Sequence, residues 1–573
     1  MDPTQGRSGG GNRPSAARRY GPLIAIIAVI VVVGIIVAVS SGGSDSNSKS
    51  DVSTGTGGNA TTSGIPKQPW PIFTQANKDS IKWGPNCNTD LGTVKIPYNY
   101  ASPCAKPFSG DNGGATADGV TADSIKIVVY QADPAKDPLT SATIKGAGAD
   151  VSPASARTTY NGYFDLFQKY YNFYGRKLDI VYFPGTGAPD DEVTARADAD
   201  AIADMHPFAV MSGPNRTPVW SNELAARHVM CVGQCSLAVP EKTIADASQY
   251  LYGVGPTPEQ AGLLTAKFVT QQLQGHKAVY GGDAVKDKTR VFGVTHYDTV
   301  DGQQKVAYAT LKNALTNGGV KIAADLPFQL DLARGQENAR TMIAKLKEAG
   351  VTTVIYTGDP LTPANLTKEA TAQNYFPEWV IGSNVLVDIA LFGRTYDQQQ
   401  WVHAFGLALT QARVNQDANP AYTMYKWFNG VNPPNNTYGV ILADLAQTMN
   451  GINMAGPKLS PETFKAALYN APVLGGTPLS PRTSRGKHGL WPGVDVGGTD
   501  DTGLIWWNPK AHGEDEVGKV GDGLYEYASM GKRWTLNDMP SENPGLFDPS
   551  KSITIFTSVP KQYQPPDYPS PAK

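Results

Sequence analysis

The sequence predicts an α/β protein with two doubly wound lobes, each built on a parallel sheet, preceded by an N-terminal transmembrane helix. Two observations predict the lobes: strand-like and helix-like segments alternate along the chain, and the alternation occurs in two successive runs. Strands that alternate with helices form parallel sheets covered on both faces. A third observation, an apolar run near the N-terminus, predicts the transmembrane helix.

The N-terminal segment has the pattern of a membrane anchor. Four arginines and no acidic residue other than Asp2 precede the apolar run LIAIIAVIVVVGIIVAV (23–39). This run is close to the ~20 residues that span a bilayer, and the positive charge holds the N-terminus in the cytoplasm. We therefore expect residues 1–41 to form a cytoplasmic stub and an uncleaved, single-pass anchor in the cell membrane, with the main domain extracytoplasmic. Ala38-Val39-Ser40 also fits a cleavage site, so a cleaved signal peptide is the alternative.

A linker and a disulfide-clipped extension are predicted for residues 42–118. The linker, up to about Pro66, is rich in Gly, Ser, Thr and Asn and buries too little apolar surface to become ordered. Four cysteines in an exported protein indicate two disulfides, with three possible connectivities. Pairing of sequence neighbours, Cys87 with Cys104 and Cys231 with Cys235, is the simplest. A metal site at the second pair would need His228 and lacks a fourth ligand.

The first run begins with a strand at Ile125–Tyr130 and a helix whose apolar face carries aromatic residues. A strand at Leu178–Phe183 follows, and acidic residues before VTARADADAIA mark the start of the next helix. The remaining elements of this run are a strand at Phe208–Met211, a helix near Pro218–Arg227 and a strand at His228–Val232.

The second run repeats this order. It contains a strand at Val291–Thr295, a helix at Gly302–Leu315 and a strand at Val320–Ala324. An apolar stripe at helical spacing (Ala339, Met342, Ile343, Leu346) then leads to Gly350, where a helix would end, and to a strand at Val351–Tyr356. The late aromatic segments LIWWNP and GLYEYASMGKRW are expected to be strands that pack on a lobe, with structural tryptophans.

Polar turns follow several of these strands. They are SGPNRT (212–217), VGQCS (232–236), THYDTVDG (295–302) and TGDPL (357–361). Ligands of doubly wound sheets bind beyond the carboxyl ends of the strands, and two facing lobes would bring such turns together. Each turn can also serve simply to link a strand to a helix.

Charge and motif searches favour binding over catalysis. The formal net charge of -2 argues against a nucleic-acid partner. The sequence has no H-x-x-x-H pair, no G-x-S-x-G elbow and no phosphate loop. Gly185-Thr186-Gly187 begins like a dinucleotide fingerprint, but Asp190 in place of the third glycine would repel a pyrophosphate. The acidic stretches GGTDD and HGEDE lack the spacing of a calcium loop. We therefore predict that the protein is not an enzyme and holds no cofactor and no metal.

The succession of motifs resembles a known family. The first lobe contains GVTADSIKIVVY, YNGYFDLFQKYYNFYGRKLDIVYF and FAVMSGPNRTPVWSNELAARHVMCVGQCS, and the second contains ARGQENARTMIAKLKEAGVTTVIYTGDPLTPANLTKEATAQNYFPEWVIGSN. From about Asp118 to Trp534 the chain resembles a type 1 periplasmic binding protein, the solute-receptor family that includes the branched-chain amino acid receptors of ABC transporters. The resemblance implies two α/β lobes that are joined by a multi-strand hinge and close over a small ligand.

The resemblance also implies domain limits. We expect a solute-binding domain at 119–545, with lobe 1 at about 119–255 and 408–490 and lobe 2 at about 256–407 and 491–545. Residues 546–573 form a proline-rich tail, whose end we expect to be disordered.

Site residues follow from the same resemblance. In the first lobe, it implies ligand contacts from Asn215, Arg216, Gln234 and Ser236. In the second lobe, it implies contacts from Asp298, Asp301, Asp359, Leu361 and Asn384. Amino acid receptors of this family carry a carboxylate near the position of Asn384, where it pairs with the ligand ammonium group. An amide at this position makes an amide, a polyol or a peptide as plausible a ligand as an amino acid. Asp359 would either supply the missing charge or cap the following turn.

The predicted function is capture of a small polar ligand for an ABC transporter permease, with the membrane reached through the N-terminal helix. One alternative is a ligand-sensing ectodomain that acts on a membrane signalling partner; the residues before the helix are too few for an output domain, so a separate protein would be needed. Another is an amide or ester hydrolase on the same scaffold, for which turnover lost on changing Asp359 would be the evidence.

Overall fold

The computed structural model describes residues 66–136, 150, 152–214, 217–233, 235, 239–298, 302–331, 334–384, 386–516 and 519–572. The predicted membrane anchor lies outside these residues. Within them, no helix combines the length and the apolar character needed to cross a bilayer.

The extension before the first lobe is an ordered, largely irregular segment. Its hairpin pairs β1 (Cys87–Asn88) with β2 (Thr93–Val94) in antiparallel orientation. The Cys87–Cys104 disulfide closes this segment, and a Cys231–Cys235 disulfide lies in the first lobe, so both predicted pairings are confirmed. Ile96 and Tyr98 are buried in the same apolar cluster as the first-lobe helices, so the extension is part of that lobe's core.

The first lobe is built on a five-stranded sheet in the order β4-β3-β5-β6-β7, with every neighbouring pair parallel. Its elements in chain order are β3 Ser124–Gln131, α1 Pro153–Tyr170, β4 Lys177–Pro184, α2 Glu192–Ala203, β5 Ala209–Met211, α3 Val219–Ala226, β6 Met230–Val232, α4 Glu241–Asp246 and β7 Leu251–Tyr252.

Local sequence signals explain these elements. Ser152 accepts a hydrogen bond from the Ser155 amide and Pro153 occupies the first turn, so α1 begins where the chain supplies a cap and a fixed φ. The Asp191 carboxylate accepts from the amides of Val193 and Thr194 and so caps α2, as the acidic run predicts. Alternate residues of the strands enter separate apolar clusters on the two faces of the sheet, because side chains in a strand alternate in direction.

The second lobe repeats the strand order of the first in β9-β8-β10-β11-β12, again all parallel. Its elements in chain order are α5 Pro258–Phe268, a π-helical turn Val269–Leu273, β8 Phe292–Tyr297, α6 Gln303–Asn317, β9 Ile322–Phe328, α7 Gly335–Glu348, β10 Thr353–Gly358, α8 Thr362–Ala372, β11 Glu378–Asn384, α9 Ala390–Gly393, α10 Gln398–Trp401 and β12 Ala404–Ala408. The structure thus confirms the predicted α/β fold with parallel sheets.

The second sheet continues into an antiparallel region. A long hairpin adds to β12, and two short strands complete a nine-stranded sheet. Its elements are β13 Thr502–Glu514, β14 Val520–Tyr527, a helical turn α14 Ala528–Gly531, β15 Arg533–Trp534 and β16 Ser552–Ile553. Trp506, Trp507 and Trp534 are buried in its apolar clusters, which agrees with their expected structural role. The sheet is therefore mixed rather than purely parallel.

Between β12 and β13 the chain returns to the first lobe. The three helices of this excursion pack on α1 or on one another and share its apolar cluster. They are α11 Pro420–Asn429, α12 Tyr438–Ala455 and α13 Pro461–Tyr469. The chain therefore crosses between the lobes three times, at residues 253–257, 409–419 and 470–501. Short 3-10 turns occur at Gln75–Asn77, Pro134–Lys136, Gln416–Ala418, Pro549–Lys551 and Lys561–Tyr563.

The tail is ordered up to residue 572, so the expectation that it is disordered is wrong. Phe556 forms a bridge with Val414 in the second crossing. Farther along, the indole Nε1 of Trp427 donates a hydrogen bond of 2.8 Å to the carbonyl oxygen of Tyr568. Ala572 lies against Gly430 at the end of α11. Composition alone predicts disorder for a proline-rich segment, but here the tertiary partners on α11 hold it.

The start of the described chain lies on the same lobe. The side-chain amide of Asn470, just after α13, donates a hydrogen bond of 2.7 Å to the carbonyl oxygen of Pro66. Both described ends of the chain therefore contact helices of the first lobe.

Candidate functional site

The candidate site lies at the carboxyl ends of the parallel strands. In each lobe the strand order reverses direction between the first and third strand of the run, that is between β3 and β5 and between β8 and β10. Open α/β sheets bind ligands in the crevice at such a reversal, because the loops from the two strands diverge there.

The predicted contact residues divide into two groups. Asp298, Asp359, Leu361 and Asn384 are placed by the structure at the ends of β8, β10 and β11. Those that lie outside the described residues are Asn215, Arg216, Gln234, Ser236 and Asp301.

The second-lobe residues are brought to one edge of the sheet. Gly358 of β10 pairs in register with Asn384 of β11, and Thr357 pairs with His296 of β8. Asp298 follows β8 directly, and its amide donates to the carbonyl oxygen of Phe328, 2.8 Å away. Three neighbouring strands therefore end with the residues that the sequence singled out.

Asp298 is the partly exposed acidic group of this edge. Its side chain is 16% exposed, and the Lys305 ammonium lies 3.5 Å from Oδ2. The other oxygen, Oδ1, is buried and has no hydrogen-bond partner within the described part of the chain. Asp298 therefore keeps acceptor capacity that a donor group of a ligand could use.

The turn at 359–361 is held by its own chain. Asp359 is 3% exposed. Its Oδ1 accepts from the amides of Leu361 and Thr362, each at 2.8 Å, and its Oδ2 accepts from the Thr362 hydroxyl at 2.8 Å. The hydroxyls of Tyr356 and Tyr396 donate to the carbonyl oxygens of Asp359 and Pro360. The geometry is that of a buried cap at the start of α8.

The electrostatics of Asp359 follow from this burial. Loss of solvation raises the pKa of the Asp359 carboxyl, while the hydrogen bonds from Thr362 and Leu361 act to lower it. Both oxygens are already used by the chain, so a ligand contact would add to the capping role and would not replace it.

Replacing Asp359 with alanine is expected to lower the free energy of unfolding by about 1–2 kcal/mol, because the amides of Leu361 and Thr362 lose their acceptor. Denaturant unfolding of the purified chain measures this loss. Asp397→Ala is the matched control, since Asp397 caps a different helix, α10, through the Gln399 amide. An Asp359→Ala protein as stable as the parent would contradict the capping role.

Aromatic side chains pack against one another at this edge of the second-lobe sheet, and the sequence analysis did not predict them as site residues. The Phe328 ring lies 5.8 Å from those of both Tyr297 and Tyr356. Gly358 has a φ of +151°, and a Cβ there would lie 2.7 Å from Phe328 Cζ. The available signal was an aromatic residue at or near the end of three successive strands.

At the carboxyl edge of the first-lobe sheet, as in the second lobe, glycines lie close to large or charged side chains. Gly213, after β5, lies so close to Trp220 that a Cβ would be 2.0 Å from the indole Nε1. Gly233, after β6, lies against the carboxylate of Asp444, which is 1% exposed. Asp444 is the single charged residue of the apolar helix α12, and that contrast was the signal available in the sequence. A buried acid thus lies against Gly233, the residue that precedes the predicted contact Gln234 in the sequence.

The side chains of the described residues form no group of three or more His, Cys, Asp or Glu placed to hold a metal ion. The arrangement at the two edges offers hydrogen-bonding groups and aromatic surfaces.

Comparisons with known proteins found matches among solved structures. No protein-family model and no curated protein matches the chain. Among solved structures, a leucine-, isoleucine-, valine-, threonine- and alanine-binding protein from Brucella ovis in a closed conformation is 12% identical with a TM-score of 0.47, covering 76% of this chain and 100% of that chain.

Two further structures are comparable. An ABC transporter substrate-binding protein from Aeropyrum pernix is 13% identical with a TM-score of 0.46 and covers 73% of this chain and 98% of its own. A fatty acid ABC transporter substrate-binding protein from Thermomonospora curvata is 14% identical with a TM-score of 0.45 and covers 75% of this chain and 98% of its own. Over about three quarters of its length, this chain is thus similar, at low identity, to solved substrate-binding proteins of ABC transporters.

Proposed function

We propose that this protein is an extracytoplasmic solute-binding protein of the type 1 periplasmic-binding fold, which captures a small polar ligand between its lobes and delivers it to an ABC importer. The observation that supports this function is the topology: two doubly wound sheets with one strand order are linked by three chain crossings. The site lies at the carboxyl edges of the strands, with Asp298 and the 359–361 turn in the second lobe and the loops after β5 and β6 in the first.

Closure follows from differential binding. A ligand that contacts both edges gains interactions only when the lobes approach, so it lowers the free energy of the closed state relative to the open one. The crossings at 253–257, 409–419 and 470–501 would serve as the hinge. The lobes would then have the limits that the resemblance implies, about 119–255 and 408–490 for the first and about 256–407 and 491–545 for the second. Delivery to a permease then requires the lobes to reopen, because the open state lacks the ligand contacts that bridge them.

The ligand class is a small polar solute: an amino acid, an amide, a polyol or a peptide. Asn384 has an amide and no charge at the position where amino acid receptors of the family carry a carboxylate. Asp298 retains an oxygen that can accept a hydrogen bond. The predicted N-terminal anchor would keep the receptor near its permease and raise its effective concentration there.

A thermal-shift screen of the full chain against amino acids, amides, polyols and peptides tests the proposal. A true ligand is expected to raise Tm in a saturable way, because it binds the folded form alone. Asn215→Ala, Asp359→Ala and Asn384→Ala should each weaken the shift about ten-fold in apparent affinity, the equivalent of one lost hydrogen bond to a polar ligand. Asp397→Ala, the capping control, should leave the affinity unchanged.

Three outcomes would count against the proposal. A ligand whose affinity is unchanged in all three site variants would refute the site. Steady conversion of the bound compound, lost on changing Asp359, would indicate a hydrolase. Co-purification of the ligand-loaded chain with a membrane kinase and not with a permease would indicate sensing.

A further inference from the structure

The third crossing, residues 470–501, is a folded unit that is fixed to the first crossing. Isolated bridges join Leu474 to Thr483 and Gly486 to Asp495. The Gly498 amide donates to the carbonyl oxygen of Gly255 in the first crossing at 2.8 Å. The first and third crossings therefore either move together or separate at the contact between Gly498 and Gly255.

Two buried carboxyl groups lie at this contact. Asp495 is 3% and Asp500 is 1% exposed. The amide of Gln260, at the start of α5, donates to Asp495 Oδ1 at 2.6 Å, and the indole of Trp491 donates to Asp500 Oδ1 at 2.8 Å. Asp495 thus ties the third crossing to the first helix of the second lobe, while Asp500 accepts hydrogen bonds from within the third crossing.

A single hydroxyl lies between the two acids. Ser484 Oγ is 2.8 Å from Asp500 Oδ2 and 3.4 Å from Asp495 Oδ2. A hydroxyl has one hydrogen and can donate it to one of these oxygens at a time. Within the described residues, neither carboxyl forms an ion pair with a lysine or an arginine. Arg485, whose charge acts on Asp495, directs its Nη2 to the Gly253 carbonyl oxygen and to Gln447 Oε1.

We propose that Asp495 and Asp500 share one proton, and that this proton stabilises the part of the third crossing that contacts the first crossing and α5, which makes the hinge sensitive to pH. Two buried anions this close would repel each other in a medium of low dielectric constant, whereas a singly protonated pair gains an internal donor. Loss of the proton places a second negative charge in the contact and favours its separation.

The titration of the pair agrees with this geometry. Burial, together with the hydrogen bond and the charge of Asp500, raises the pKa of Asp495 to about 8, against the lowering effects of Gln260 and Arg485. The charged or titratable groups that face the pair are Arg485 and Tyr469, whose own pKa is raised mainly by burial. The pKa of Asp495 is higher in the folded state than its unfolded value of ~3.9. Its contribution to the stability of the folded state is therefore complete below pH ~3.9 and is lost as the pH rises towards 8.

Hydrogen exchange of the full chain tests the proposal. After correction for intrinsic rates, amides of 484–501 are expected to exchange at least about ten-fold faster at pH 9 than at pH 6. When the open state binds one proton fewer than the closed state, each pH unit changes the opening equilibrium constant about ten-fold. Asp495→Asn, which cannot ionise, should remove this difference, and Asp500→Asn should do so as well. Asp501→Asn is the control: Asp501 pairs with Arg533, so its loss should change protection at both pH values alike.

The inference would be overturned if the parent chain exchanged equally at the two pH values in this segment. It would also be overturned if Asp495→Asn and Asp500→Asn retained the parent's pH response. Should either variant fail to fold, the other variant and the parent profile still decide, and none of these measurements requires a ligand.

Discussion

Replacing Arg290 with methionine is expected to lower the free energy of unfolding by about 3–5 kcal/mol, among the largest effects of any single change in the second lobe. Arg290 and Glu378 form a two-pronged pair, with Nε 2.7 Å from Oε2 and Nη2 2.8 Å from Oε1. Their side chains are 3% and 0% exposed. Without the guanidinium, the Glu378 carboxylate would lie buried with no counter-charge.

The surrounding contacts explain why the pair cannot simply relax. Glu378 begins β11 and also accepts from the Thr353 hydroxyl at 2.7 Å and from the Tyr280 amide at 3.1 Å. Moving the carboxylate to water would break the start of two neighbouring strands. The loss is therefore expected to appear as a lower denaturant midpoint, together with faster hydrogen exchange in β10 and β11.

A double variant provides the matched control. Arg290→Met with Glu378→Met removes both charges and should recover a large part of the loss, because a buried pair replaced by apolar groups of similar volume is often nearly neutral. Arg290→Lys keeps the charge without the two-pronged geometry, so its free energy of unfolding should lie between those of the parent and of Arg290→Met. A double variant no more stable than Arg290→Met would show that the pair contributes through packing and not through charge.

Replacing Gly406 with alanine is expected to cost about 3 kcal/mol or more. Gly406 lies in the middle of β12 with a φ of +149°, and a Cβ would lie 2.2 Å from the carbonyl oxygen and 2.6 Å from the amide nitrogen of Ile381 in β11. Because the obstructing atoms belong to the backbone of a central strand, the two strands would have to separate. Denaturant unfolding and hydrogen exchange of β11 measure the effect.

Gly503 is the matched control, since it lies opposite Ala408 in the neighbouring strand pair. The nearest atom to a Cβ at Gly503 is the Ala408 Cβ at 3.6 Å, an ordinary contact. Gly503→Ala should change stability by at most ~0.5 kcal/mol. Equal losses in the two variants would mean that strand entropy, and not the close approach to Ile381, sets the cost.

The elements that the sequence predicted are those with strong local patterns. The aromatic stripe of α1 and the apolar stripe of α7 have the helical period, and the caps at Ser152 and Asp191 mark where helices begin. The two disulfides joined sequence neighbours and needed no knowledge of the fold.

The elements that escaped prediction depend on distant partners. Strand β7 is two residues long and is fixed by pairing with β6. The tail is ordered because Trp427 and other residues more than a hundred positions away contact it. No local periodicity encodes such contacts, so a proline-rich composition gave the wrong expectation.

The candidate site shows the same division. Strand ends and turns are visible in a sequence, so the positions of Asp298, Asp359 and Leu361 at the carboxyl edge could be predicted, whereas Asn384 was implied by the family resemblance alone. The direction of a side chain is decided by tertiary packing. The folded chain therefore decides that Asp359 caps the turn, one of the two roles expected of it, and it alone reveals the proximity of Asp444 to Gly233.

The placement of Pro66 and Ala572 on helices of the first lobe has a mechanical consequence. A load applied between the two ends of the described chain passes through one lobe and bypasses the crevice. Attachment of the protein to a surface or a bead by either end should therefore not obstruct the proposed closure of the second lobe. Fluorophores intended to test that closure belong on the second lobe, because labels at the two ends would stay at a constant separation.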